Sequence, residues 1–214
     1  MAPIKRRPRK RVLSDPELAA VLKTAPEGTD VFSHIVALLV LTGQRRGETT
    51  ALQKSWCNRS DRLITLPDYV TKNYQEHTFP YGDLVESVLV RLSNIEGNLY
   101  FPAYRAHVRG VPTTTYNGWS KDKIEFDERC GVSNWTLHDL RRTFATRLAE
   151  AGVLPHILER LLNHRMGSIS NRTYGIISQV AEVYNLATYL PEMRNAIALW
   201  ENKLTALLRL LEAA

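Results

Sequence analysis

Hydrophobic spacing changes character once along this chain, and that change limits what it can fold into. From Asp15 onward apolar residues recur at helical intervals in Leu18 to Lys23, Val31 to Leu41, Asp83 to Leu92, Asn117 to Arg129, Leu137 to Ala149 and Pro155 to Leu162, the three-to-four-residue repeat of a half-buried helix. Arg45 to Lys54 looks like one more short helix. Between Arg62 and Pro80 the period shortens. Arg62-Leu63-Ile64-Thr65-Leu66-Pro67 and His77-Thr78-Phe79-Pro80 read as two short strands around a polar turn holding Lys72-Asn73. The expected class is α+β, mostly α-helical, with a small antiparallel hairpin that carries a lysine.

Start and stop signals agree with this division. Ser14-Asp15-Pro16-Glu17 supplies a capping residue, a first-turn proline and early acids. Gly43 stands where the second helix should end. A last helix begins near Pro191-Glu192 and sets Ala196, Leu199, Trp200, Leu204, Leu207, Leu208 and Leu211 on one side. Such a stripe can pack on its own domain or fill a groove on a neighbouring protomer, and spacing leaves both open.

The 214 residues carry 28 Lys+Arg against 22 Asp+Glu, a formal charge of +6. Lys5, Arg6, Arg7, Arg9, Lys10 and Arg11 account for that whole excess, because no acid precedes Asp15. The expected organisation is therefore a basic linker over 1–11 and one domain over 12–214. The linker is either solvated or laid along phosphate backbone, where each basic contact releases counterions. No stretch approaches the roughly 18 consecutive apolar residues of a membrane helix, and the N-terminus has no secretory apolar region, so a soluble, unexported protein is expected. Cys57 and Cys130 form no CxxC pair and suit a reducing compartment as structural thiols.

The sequence holds no GxxxxGK[ST], no GxGxxG after a strand, no HExxH and no carboxylate metal motif. Neither a cofactor nor a metal is expected. What stands out is Thr136-Leu137-His138-Asp139-Leu140-Arg141-Arg142-Thr143, in which His138 and Arg141 share a helical face. Upstream is Thr42-Gly43-Gln44-Arg45-Arg46-Gly47-Glu48; downstream are Leu161-Leu162-Asn163-His164 and the tyrosines Tyr174, Tyr184 and Tyr189.

In this order the motifs resemble those of the tyrosine recombinase catalytic domain, the phage-integrase family: TGxRxxE, a hairpin lysine, HxLRxT, LxH and a nucleophilic tyrosine. The resemblance covers about residues 12 to 205. It implies the catalytic fold of that family and a site-specific recombinase or integrase. Such an enzyme cleaves and rejoins double-stranded DNA through a 3′-phosphotyrosyl intermediate, without metal or nucleotide. It further implies a homotetramer on two DNA sites when full-length, a fragment that is monomeric without its clamping domain, no membrane, and a phage or prophage protein in bacterial cytoplasm. Arg11-Val12-Leu13-Ser14-Asp15-Pro16-Glu17-Leu18 looks like the family's catalytic-domain start, so the chain is expected to be the catalytic domain without the N-terminal DNA-clamping domain.

Carried over residue by residue, the resemblance assigns Arg45 and Arg141 as clamps on the reacting phosphate. Planar guanidinium forks suit the charge that builds on non-bridging oxygens. Lys72 is similar to the family's general acid for the leaving 5′-oxygen, and His138 and His164 handle protons at the phosphate. Arg46 and Arg142 are neighbours easily mistaken for the clamps, and Glu48 is expected to orient an arginine or a helix end. His34, His77, His107 and His156 lack motif context and are expected to be structural.

The nucleophile is chosen between two tyrosines. Spacing from His164 favours Tyr174, whereas Val183-Tyr184-Asn185-Leu186-Ala187-Thr188-Tyr189-Leu190-Pro191-Glu192-Met193-Arg194 looks like the tail of prophage and satellite-phage integrases and selects Tyr184. Tyr184 is taken, since that match spans more residues; it carries Leu186 where an arginine is usual. Tyr189 is expected to pack. Two rivals remain: a non-catalytic DNA-binding regulator, in which Leu137 to His164 imitates a helix-turn-helix, and a type IB topoisomerase-like enzyme that relaxes DNA.

Overall fold

The computed structural model describes residues 9–27, 30–103, 114–164 and 188–212. In chain order these residues form α1 (Asp15–Glu27), α2 (Val31–Thr42), α3 (Arg46–Thr50), a 3-10 turn (Lys54–Trp56) and strands β1 (Cys57–Asn58), β2 (Leu63–Leu66) and β3 (His77–Pro80). There follow α4 (Asp83–Arg91), α5 (Trp119–Cys130), α6 (Leu137–Glu150), α7 (Pro155–Leu161) and α8 (Leu190–Glu212). The expected class holds: mostly helical, with one small antiparallel sheet.

Helix α2 is apolar all round and buried from Ile35 to Thr42, so it needs neighbours on every side. It has them in α1, α3, α4, α5, α6 and α8. Asp30 caps its start, accepting from the Ser33 amide at 2.8 Å. Gly43 ends it at φ +64°, in the left-handed region. A Cβ at Gly43 would lie 2.6 Å from Cδ1 of Phe144, so both conformation and packing require glycine.

Strand β2 pairs antiparallel with β3, Leu66 opposite His77 and Leu63 opposite Pro80. Ile64, Leu66, His77 and Phe79 turn into the core, while Thr65 and Thr78 join through their hydroxyls at 3.0 Å. The loop between them is tied internally, because Thr71 Oγ1 accepts from the Gln75 amide at 3.1 Å and donates to its carbonyl at 2.7 Å. Two features of this region differ from the sequence reading. A third strand, β1, joins β2 at the sheet edge; at two residues it is too short to show a period. The helix expected over Arg45 to Lys54 stops at Thr50, and the chain continues as the 3-10 turn.

Helix α8 packs on its own domain. Trp200 is buried edge-on against Phe144, with ring centroids 5.4 Å apart, and its indole N–H donates to the Val40 carbonyl at 2.9 Å. Ala196, Trp200 and Leu204 face inward as expected, but Leu199 is half exposed, and Met193 and Ile197 take the place read for it. Arg9 and Arg11 are anchored on the domain instead of trailing in solvent: Arg9 pairs with Asp139 at 2.9 Å and Arg11 with Glu17 at 2.6 Å. Among the described residues no helix is long and apolar enough to cross a membrane. Both thiols are free, and burial pushes Cys57 up to about 11, which keeps it protonated.

Candidate active site

The last carbonyls of a helix have no partner within it and must find donors elsewhere. At the end of α7 three in succession do so, and the donors come from the segments that sequence reading singled out. The Leu161 carbonyl accepts from Gln44 Nε2 at 2.8 Å and meets His77 Nε2 at 3.2 Å. The Leu162 carbonyl accepts from Arg141. The Asn163 carbonyl accepts from Arg45 Nη2 at 3.1 Å and from Asn73 Nδ2 at 2.6 Å. Asn163 can present its carbonyl this way because it adopts φ +47°, a left-handed conformation that asparagine tolerates.

Arg141 sits one turn into α6, whose start is fixed by a reciprocal cap between Thr136 and Asp139. Its guanidinium is buried and also donates to the Gly43 carbonyl at 2.8 Å. It thus joins the end of α2 to the end of α7. Burial, then the nearby Arg45 charge, pull Arg141 down to about 9. Arg45 caps α3 and pairs with the buried Glu48 at 2.8 Å. The same carboxylate accepts from the Arg45 and Lys72 backbone amides, both at 3.3 Å. Glu48 therefore orients Arg45 and ties the hairpin to α3, the orienting role expected for it.

Lys72 stands exposed on the β2–β3 loop, and its ammonium pairs with no described residue. It lines a groove of about 560 Å³ together with Arg45, Arg141, His138 and Gln44. His138 lies on the first turn of α6 at the groove edge; partial desolvation, then Arg142 and Arg141, lower its pKa. His164 follows the three carbonyls, with its backbone amide donating to Glu159 O at 2.9 Å. Its Nδ1 is buried without a hydrogen-bond partner among the described residues. Burial, then the charges of Arg141 and Arg45, lower His164 to about 4, so the ring is neutral at pH 7.

Arg45, Lys72, His138, Arg141 and His164 thus converge at the groove and the α7 terminus. Tyr184 and its rival Tyr174 lie outside the described residues, as does His107. Tyr189 packs, its ring 5.1 Å from that of His156 and under Arg160 at 4.8 Å. Arg142 turns away to Asp139 at 2.6 Å. His34 contacts the Asp30 carbonyl at 3.0 Å, and His77 is buried and stacked on Phe79. Asn73, Asn163 and Gln44 were missed by sequence reading, although Asn73 sits beside Lys72 and Asn163 within the LxH box.

Around these guanidiniums the close carboxylate is Glu48, so two arginines and Lys72 leave the groove positive and suited to an anion. The family model described as the phage integrase family matches residues 12–177. The chain belongs to that family. Solved structures agree on the tyrosine recombinase fold. XerA recombinase is similar over 86% of this chain and 65% of its own, at 19% identity and TM-score 0.61. The integrase from mycobacterium phage Brujita is similar over 91% of this chain and 59% of its own, at 18% identity and TM-score 0.61. The catalytic domain of bacteriophage HP1 integrase is covered over 82% of its length by 73% of this chain, at 20% identity and TM-score 0.53. The integrase-family chain thus spans less than two thirds of the XerA and Brujita proteins. No curated protein matches its sequence.

Proposed function

We propose that this integrase-family chain is the catalytic domain of a site-specific DNA recombinase. The observation carrying the reading is the pair Arg45 and Arg141, both anchored on carbonyls ending α7, beside His164, whose buried Nδ1 has no partner among the described residues. Fixed guanidiniums and a neutral imidazole are the groups that stabilise extra charge on a phosphodiester under attack.

In the proposed reaction the Tyr184 oxygen attacks the scissile phosphorus and displaces the 5′-oxygen, leaving a 3′-phosphotyrosyl bond. Lys72 gives a proton to that leaving oxygen, and His138 accepts the phenolic proton. A 5′-hydroxyl of the partner duplex then attacks the phosphotyrosine and returns the tyrosine. Each step exchanges one phosphodiester for another, so no nucleotide need be consumed. Lambda integrase in a structure with a core site, at 19% identity and TM-score 0.58, lends support to duplex DNA as the partner.

The full reading places a tetramer on two duplexes in bacterial cytoplasm, encoded by a phage or prophage, with 1–11 as the connector to a clamping domain. Capture of protein-linked DNA under denaturing conditions tests the chemistry. Supercoiled plasmid should yield adducts with wild type, and Tyr184→Phe should abolish them. Loss with Tyr174→Phe alone would move the nucleophile. Absence of adducts even after a clamping domain is supplied would leave the regulator reading.

A further inference from the structure

Arg45 and Arg46 are sequence neighbours with different surroundings. Arg45 turns to Glu48 and the end of α7. Arg46, the first residue of α3, is exposed and forms part of the groove wall, with its guanidinium carbon 4.6 Å from the Trp119 ring centroid. Tyr116 holds that ring edge-on at 4.9 Å, and Phe32 supports it at 6.3 Å. Tyr116 is fixed in turn by donating its hydroxyl to Asp122. The platform under Arg46 is therefore rigid.

Charge pairing separates Arg46 from three nearby cations. Arg45, Lys123 and Arg142 each face a carboxylate, respectively Glu48, Asp127 and Asp139. Among the described residues Arg46 faces none. A guanidinium stacked on an aromatic face keeps its in-plane N–H donors free while losing little entropy on binding. Arg46 and Trp119 line the same groove as Lys72, Arg45 and Arg141. A duplex seated on the clamps would bring further backbone phosphates to this wall.

We infer that Arg46, held on Trp119, is a second phosphate-binding position that grips the DNA backbone beside the reacting phosphodiester. This rests on the strand-transfer reading and extends it: Arg46 binds DNA and takes no part in bond exchange. A stack serving only to close α3 against α5 would leave DNA binding unchanged on its removal, which makes the two roles separable.

The test is fluorescence anisotropy of a fluorescein-labelled mixed-sequence duplex with the whole chain, titrated between 50 and 200 mM NaCl. Arg46→Ala should flatten the slope of log affinity against log salt by about one and raise Kd about 5- to 10-fold near 0.1 M salt. Arg46→Lys, which keeps the charge but loses the planar stack, should hold the slope while losing part of the affinity. Arg209→Ala, with the same charge change in the last turn of α8, serves as the control and should bind like wild type. Equal slopes for Arg46→Ala and Arg209→Ala would overturn the assignment and leave the strand-transfer reading standing. Wild type with no salt-dependent DNA binding at 50 mM would overturn the Arg46 assignment, and the strand-transfer reading would then be decided by the adduct assay with a clamping domain supplied.

Discussion

Asn73 and Asn163, ninety positions apart, meet where the Asn73 side-chain amide donates at 2.6 Å to the Asn163 carbonyl. The same oxygen accepts from Arg45 at 3.1 Å. One backbone atom at the end of α7 thus sets the position of a clamp and of the loop that carries Lys72. The LxH segment works as a scaffold as well as the source of His164.

Replacing Asn73 by Ala removes the side-chain tie while leaving the Glu48 contact to the Lys72 amide. A hydrogen bond of this kind is worth about 1 kcal/mol, so Lys72 should spend less time in place and the adduct-forming rate should fall about fivefold. Single-turnover adduct formation measures it. DNA affinity should stay near wild type, and a change confined to affinity would place Asn73 in binding instead.

Gly43→Ala combines a positive φ with a Cβ 2.6 Å from the Phe144 ring. Backbone strain and overpacking together should cost about 3 kcal/mol, seen as a fall in Tm of roughly 6 to 12 °C. The Gly43 carbonyl also receives Arg141, so adduct formation should drop even at temperatures where the variant remains folded.

Acid should weaken the fold in a window set by two histidines. Burial, the first cause in each, lowers His77 and His164 to about 4 from an ordinary value of 6.5. The unfolded chain therefore takes up protons near pH 6.5 that the native state does not accept until about pH 4. Stability should be full above pH 6.5 and fall as pH drops towards 4. The fully enclosed His77 contributes on the order of 3 kcal/mol across that range. Urea unfolding of wild type and His77→Gln from pH 8 to 5 checks the sign, since the variant should lose less stability on acidification. A native state that gained stability on acidification would contradict it.

Legibility in the sequence followed range. Helices marked by local chemistry, such as the Asp15-Pro16 start of α1, the Gly43 end of α2 and the Pro191-Glu192 start of α8, were readable because their signals lie within four residues. So was the convergence of Arg45, Lys72, His138, Arg141 and His164, through motif order. Strand β1 gave no signal, since two residues carry no period. The Asn73–Asn163 and Gln44–Leu161 bonds were hidden because polar pairs so far apart leave no local pattern. The basic run was read by charge alone, and the need of the buried Asp139 for a cation such as Arg9 becomes visible only once α6 has formed. Leu199 was read by spacing alone and emerges half exposed, because the buried stripe of α8 runs instead through Met193, Ile197 and Trp200.

The α8 stripe leads to a stability prediction. Trp200 fills the space between α2 and α6 and donates its indole N–H to Val40. Trp200→Ala should cost about 3 to 5 kcal/mol in urea unfolding. Trp200→Phe keeps most of the ring but leaves the Val40 carbonyl without its donor, and should cost about 1 to 3 kcal/mol. If both variants unfolded like wild type, α8 would not be held on its own domain.

Arg141 offers the sharpest separation of fold from chemistry. Its guanidinium reaches two carbonyls just past the ends of different helices, Gly43 at 2.8 Å and Leu162, and is buried as it does so. A lysine at this position keeps a positive charge but places it at one point, so it cannot span both oxygens and still present planar donors to a phosphate. One buried carbonyl loses its partner, which should lower stability by about 1 to 3 kcal/mol. Loss of a positioned donor at developing charge should lower adduct formation about 10²- to 10³-fold, well beyond the effect of destabilisation on a protein that remains folded. Circular dichroism together with single-turnover adduct assays on Arg141→Lys separates the two. Retained folding with near-wild-type adduct formation would show that charge alone suffices there and that the two-carbonyl anchor serves the fold.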